Sequence, residues 1–159
     1  MIRNTFIAIA EDSKHRMGVE PPRRDGPPTL ARLHYELLSE HPYELTLDDL
    51  NFTVHCLKHG LDTADQQARA AFLSKGHPCM RASPLTKTYG FGAHYNHAGK
   101  IALYPADSIA YRKFLKDPEV RVEKAMRSKR AVSRAGAAAC KPSCAFTQRG
   151  SRAAPRGLR

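Results

Sequence analysis

The sequence predicts an α+β fold: a small antiparallel or mixed sheet, built from an N-terminal strand and a C-terminal hairpin and covered by four or five helices. Three observations predict it. The run TFIAIA at residues 5–10 is short, apolar and alternating, as a strand is. Residues 89–95 and 100–104 are two apolar runs separated by Asn96, His97, Ala98 and Gly99, a hairpin loop in which Gly99 can take positive φ. Between strand and hairpin, apolar residues recur at helical spacing behind residues that start helices.

The elements follow in order. In the first strand Ile7 and Ile9 alternate against Phe6 and Ala8. Residues 11–28 then hold Pro21, Pro22, Gly26, Pro27 and Pro28 among charges; prolines lack the amide donor a ladder or helix needs, so this is loop. Thr29 can cap a helix carrying Leu30, Leu33, Leu37 and Leu38, closed by Pro42. Thr46 and Asp49 have capping-box spacing, with Asp in the usual Glu place, ahead of a stripe of Leu47, Leu50, Val54, Leu57 and Leu61. A strand competes there, because Leu50, Phe52, Val54 and Cys56 also alternate. Gly60 after Lys58 and His59 favours the helix, as a C-cap with cations near the negative end. Thr63 and Gln66 open a third helix with Ala64, Ala68, Ala71 and Phe72 inward, stopped at Lys75 and Gly76.

Residues 77–82 are irregular or extended. Ser83 with Pro84 behind it starts one short helical turn. In the hairpin, Tyr89, Phe91, Ala93 and Tyr95 share one face. Asp107 can cap a helix to Leu115 that buries Ile109, Phe114 and Leu115, and Asp117 with Pro118 can start another through Met126. Residues 132–159 change character: rich in Ala, Arg, Ser, Gly and Pro, with Phe146 the one aromatic, they read as a disordered basic tail after a single domain over 1–131.

The net charge is +11, and more than half of it lies in that tail, which carries six basic side chains and no acid. Basic clusters attract phosphate with strong salt dependence, and an anionic small molecule or nucleic acid is the kind of partner this charge allows; its concentration in the tail weakens the case for the folded part as a dedicated polyanion binder. The first apolar run is too short for a secretory leader and is followed by Glu11 and Asp12, no run approaches a membrane span, and four cysteines without a disulfide framework suit a reducing cytoplasm. Cys140 and Cys144 could form half a metal site but have no second pair nearby. No cofactor and no specific metal site are expected.

Residues 83–104 concentrate the candidate chemistry. Arg81, Lys87 and Lys100 can surround Tyr89, Phe91, Tyr95 and Tyr104; stacking faces with cations suit a nucleotide, a base or an anionic metabolite. The competing reading is that half these rings are core, because a hairpin buries one face. Cys79 is the best nucleophile candidate, with His77 and Arg81 two residues either side to favour the thiolate, and His94 could serve as its base. For a metal, His77, Cys79, His94 and His97 have suitable types but His94 and His97 straddle the bend; His55 and His59, four apart on a helix, are the better pair, without the acid of an HExxH motif. Gly90 and Gly92 are not a dinucleotide fingerprint, since Tyr95 takes the third glycine place and no helix opens there. Such glycines mark a bulge or a close backbone approach.

The run KGHPCMRASPLTKTYGFGAH at residues 75–94, with GKIALY at 99–104, resembles a small bacterial family of uncharacterised proteins classed as a domain of unknown function, whose pattern is KGxPCLRxSPLxKRYGWGxH followed by GRIALY. The resemblance covers nearly all of residues 1–131 and stops before the tail. Phe91 stands for the family's Trp, Thr88 for its Arg and Met80 for its Leu. The resemblance implies a shared fold and brings no reaction or ligand. The functional expectation is therefore a non-enzymatic module that binds an anionic or aromatic ligand along the 81–104 hairpin, with a thiol-dependent enzyme using Cys79 and His94 as the alternative.

Overall fold

The computed structural model describes residues 2–128, and the basic tail with Cys140 and Cys144 lies outside them. The fold is α+β, as the sequence predicts: the described residues form an open four-stranded mixed sheet with five α-helices. In chain order these are β1 (Thr5–Ala8), α1 (Leu30–Glu40), α2 (Leu47–His59), α3 (Gln66–Leu73), a 3-10 turn at Met80–Ala82, α4 (Pro84–Lys87), β2 (Phe91–Tyr95), β3 (Ile101–Pro105), α5 (Ile109–Lys116) and β4 (Arg121–Lys124).

The sheet order is β3-β2-β1-β4. β1 pairs antiparallel with β2, placing Phe6 opposite His94, and parallel with β4, placing Phe6 opposite Val122. Both β1 and β3 oppose β2, so β3 and β4 run the same way at opposite edges, and α5 carries the chain between them across one face. On that face Phe6, Ala8 and Tyr111 are buried, with Tyr104 and Phe114 packed against them. Ile7, Phe91, Ala93, Tyr95 and Ile101 point to the other face and join Leu33, Leu38, Leu50, Val54, Met80 and Leu85 in the larger core. The two cores are the two sides of one pleat.

Several helix starts fall where the side chains dictate. The Thr29 hydroxyl accepts from the Arg32 amide, and Thr46 with Asp49 closes a capping box reciprocally. Gly60 ends α2 in the left-handed conformation, and Ser83 caps α4 with Pro84 behind it. Elsewhere the cap differs from expectation: Asp65, not Thr63, accepts from the first amides of α3, and Ser108, not Asp107, caps α5.

Three expectations about packing are corrected. In α2 the residues buried are Leu50, Phe52, Val54 and Cys56, while Leu57 and Leu61 are exposed. The alternation that resembled a strand belongs to a helix covered on two sides: Leu50 and Val54 enter the larger core, and Phe52 packs against Phe72 of α3. Ala64 and Ala71 are exposed in turn, and α3 meets α2 through Phe72 against Phe52 and Arg69 paired with Asp49. In α5, Tyr111 and Phe114 face the sheet, whereas Ile109 and Leu115 are solvent-exposed. The helix expected to run from Asp117 through Met126 is a turn followed by β4. Its amides follow β1: the Arg121 N–H donates to Asn4 O and the Ala125 N–H to Ala8 O. A short charged edge strand that pairs with the far end of the chain leaves no local periodicity to read.

Candidate functional site

Gly90 explains how the site is assembled. Its φ is +72°, and a Cβ added there would lie 2.1 Å from the Met17 carbonyl oxygen. The proline-rich loop therefore crosses directly over the entrance to β2. Three backbone hydrogen bonds hold it: Ala10 N–H to Thr86 O, His15 N–H to Thr88 O and Val19 N–H to Tyr89 O. The second glycine has the same kind of cause on the other face, because a Cβ on Gly92 would meet the rings of Phe6 and Tyr111 at 2.5 and 2.7 Å. The Gly-x-Gly is thus two close approaches, as the sequence suggested.

This docking brings Lys14 and His15 to residues 87–89. Asp12, Lys14, Lys87, Thr88 and Ser128 line a cleft of about 330 Å³. The Asp12 carboxylate accepts from the Ser128 amide at 2.8 Å. Neither Lys14 nor Lys87 enters an ion pair among the described residues. In the same loop pairing, half-buried Tyr89 stacks on His15, the rings 15° from parallel with centroids 6.3 Å apart.

The other sequence-selected residues go elsewhere. Arg81 is exposed but committed to β4: its Nε donates to Lys124 O at 3.1 Å, and its guanidinium pairs with Glu123 at 3.3 Å. Phe91 and Tyr95 are buried in the larger core, Phe91 against Tyr35 and Tyr95 with its hydroxyl accepting from the Met80 amide. Burial pushes the Tyr95 hydroxyl pKa up. These two rings are core, so the candidate surface contracts to Lys87 and Tyr89 with Lys14 and His15 added. Tyr95 also reaches a separate cleft of about 220 Å³ with Ile2, Thr46, Leu47, Asp48 and Gly99, in which the one charged lining group among the described residues is the Asp48 carboxylate. That lining disfavours an anion.

Cys79 is a half-exposed free thiol preceding the 3-10 turn, on the side of the sheet where Tyr95 meets Met80. His94 lies on the opposite face. Its ring stacks on Phe114 at 4.2 Å, and its Nδ1 bonds the Tyr43 hydroxyl at 2.7 Å, which in turn bonds the Tyr104 hydroxyl at 2.9 Å. The structure does not bring Cys79 and His94 together. His94 Nε2 is buried with no hydrogen-bond partner among the described residues, and burial, with the charge of His97, lowers the His94 pKa against the opposing pull of Asp117. His55 and His59 do share a helix face, their rings 4.5 Å apart, and Phe72 stacks between His55 and His77.

Sequence reasoning missed Lys14, His15 and Tyr43. Each reaches its partners through a loop packed against distant residues, and no local pattern marks that. In comparison with known proteins, the model of a family of unknown function, DUF6157, matches residues 2–131. No curated protein and no solved structure matches.

Proposed function

We propose that this chain, which belongs to the DUF6157 family of unknown function, is a non-enzymatic module that binds a small anionic ligand with an aromatic part, a nucleotide by preference, at the start of the hairpin. The observation that carries this reading is the cleft flanked by Lys14 and Lys87, two cations with no ion pair among the described residues, next to the stacked pair of Tyr89 and His15. Charge-assisted hydrogen bonds from two ammonium groups hold a phosphate, and the His15 ring laid over Tyr89, which itself packs on the larger core, puts aromatic surface near them for a base. A cleft of a few hundred Å³ is of small-ligand size. Thiol chemistry at Cys79 is less favoured, because the base assigned to it, His94, is enclosed on the other side of the sheet.

Titration calorimetry with nucleoside mono-, di- and triphosphates, and with pyrophosphate, tests the reading. Expected are saturable binding that weakens as salt rises, tighter binding for the nucleotides than for pyrophosphate, and a loss of about tenfold or more in Lys87→Gln and Lys14→Gln. Absence of binding at millimolar ligand, or equal affinity in both variants and the parent, would overturn it.

A further inference from the structure

We propose that the outer face of α5 is a docking surface for the phosphate backbone of a nucleic acid, separate from the Lys87 cleft and resting on different residues. Ile109, Arg112, Lys113 and Lys116 stand three, four and seven positions along the helix and so share one face. They line an open concavity of about 540 Å³. The three cations are exposed and enter no ion pair among the described residues; Arg112 reaches only the Asp107 carbonyl, at 3.4 Å.

Of the four acids that flank α5 in sequence, Glu119 stands exposed beyond its end and the other three are engaged elsewhere. Asp107 accepts from the Gly18 amide, Asp117 from the Glu119 amide, and Glu123 pairs with Arg81 and Arg121. α5 itself contains no acid. Cations in a last turn offset the helix dipole, which accounts for Lys113 and Lys116 but not for Arg112 nearer the start, nor for Ile109 at 81% exposure.

The face is held rigidly. Ser108 caps the helix, the Tyr111 hydroxyl accepts from the Ile9 amide at 3.0 Å, and Phe114 stacks on Phe6 and His94. A rise of about 1.5 Å per residue sets Arg112 and Lys116 about 6 Å apart along the axis, close enough for neighbouring phosphates of one strand. A lipid surface fits less well, because the apolar side of α5 is spent on the sheet and Ile109 on this face, with Leu115 half exposed beside it, offers little to insert.

The test uses the full chain and fluorescence anisotropy of a labelled duplex DNA and a labelled single-stranded RNA, from about 50 to about 200 mM salt. The triple variant Arg112→Gln, Lys113→Gln, Lys116→Gln should bind about tenfold or more weakly at the low end, with the slope of log affinity against log salt shallower by roughly 3 units. Ile109→Glu, a single change on the same exposed face, should weaken binding in the same direction. The double variant Lys14→Gln, Lys87→Gln should keep oligonucleotide binding, which separates this surface from the nucleotide cleft. Unchanged affinity and slope in the triple variant, no binding by the parent at low salt, or binding to phosphatidylserine vesicles without binding to either oligonucleotide would each overturn the proposal.

Discussion

Tyr43 sits at φ +61°, a backbone region that a bulky side chain rarely occupies. Its amide donates to Ile101 O at the sheet edge, and its hydroxyl joins His94 to Tyr104 on the face beyond. Burial raises its pKa, so the phenol stays protonated. The strained residue is held because its two ends are bonded to different parts of the hairpin. Tyr43→Phe removes both side-chain bonds and leaves His94 with neither ring nitrogen satisfied, so it should cost about 1–3 kcal/mol in urea unfolding. Tyr104→Phe removes one bond from a half-buried hydroxyl and should cost less than about 1 kcal/mol. Equal stability of Tyr43→Phe and the parent would show that the network contributes nothing. No sequence signal marks this network, whereas Lys87 and Tyr89 were legible because they lie in one short segment. Lys14 and His15 were not, since a proline-rich loop gives no periodicity and its docking depends on a glycine about 75 residues on.

Among the elements, those fixed by near neighbours were the ones legible in sequence. Thr29, the pair Thr46 and Asp49, Gly60, and Ser83 with Pro84 each act within about four residues of themselves, so their chemistry shows in the string. Which face a helix buries is a tertiary matter. α2 is covered on two sides and α5 starts one residue later than Asp107 suggests, and each fact redirected a stripe. β4 exists because β1 accepts it, and β1 is more than 110 residues away. The glycines separate local from tertiary causes experimentally. Gly60 and Gly90 both have positive φ, at +64° and +72°, but a Cβ on Gly60 meets nothing within 4 Å while one on Gly90 strikes the Met17 backbone. Gly60→Ala should therefore cost about 1 kcal/mol, the backbone penalty alone. Gly90→Ala should cost several times that, with the loop at residues 15–19 displaced and amide exchange at Val19 accelerated. Comparable melting temperatures for the two variants would mean that the loop does not press on the hairpin as described.

At the scale of the whole molecule, two histidines are enclosed, one on each side of the sheet: His34 with the helices and His94 under α5. Each has one bonded ring nitrogen and a buried Nε2 with no partner among the described residues. Burial pushes the His34 pKa down from 6.5 to about 4, helped by the charge of Lys58. Folded His34 therefore stays neutral where the unfolded chain takes up a proton. The stability this contributes is fully present above pH 6.5 and is lost as pH falls from there towards 4. The shift corresponds to about 3 kcal/mol by the bottom of the window, and His94 acts in the same direction. Acid loss through Glu11 belongs to a lower range: hydrogen bonds from Lys124 and Arg127, then their charges, take its carboxyl from 4.5 to about 2, so its contribution fades only below pH 4.5. Melting temperature followed from pH 7 to pH 3 should thus begin to fall near 6.5 and steepen below 4.5. His34→Gln, which cannot take up the proton, should flatten the upper part of the curve and leave the lower part unchanged, and His94→Gln should do the same on the opposite face. A parent curve that is level between pH 7 and 5, or one parallel to both variants there, would mean that these rings are hydrated in the folded protein and that neither core is closed around its histidine.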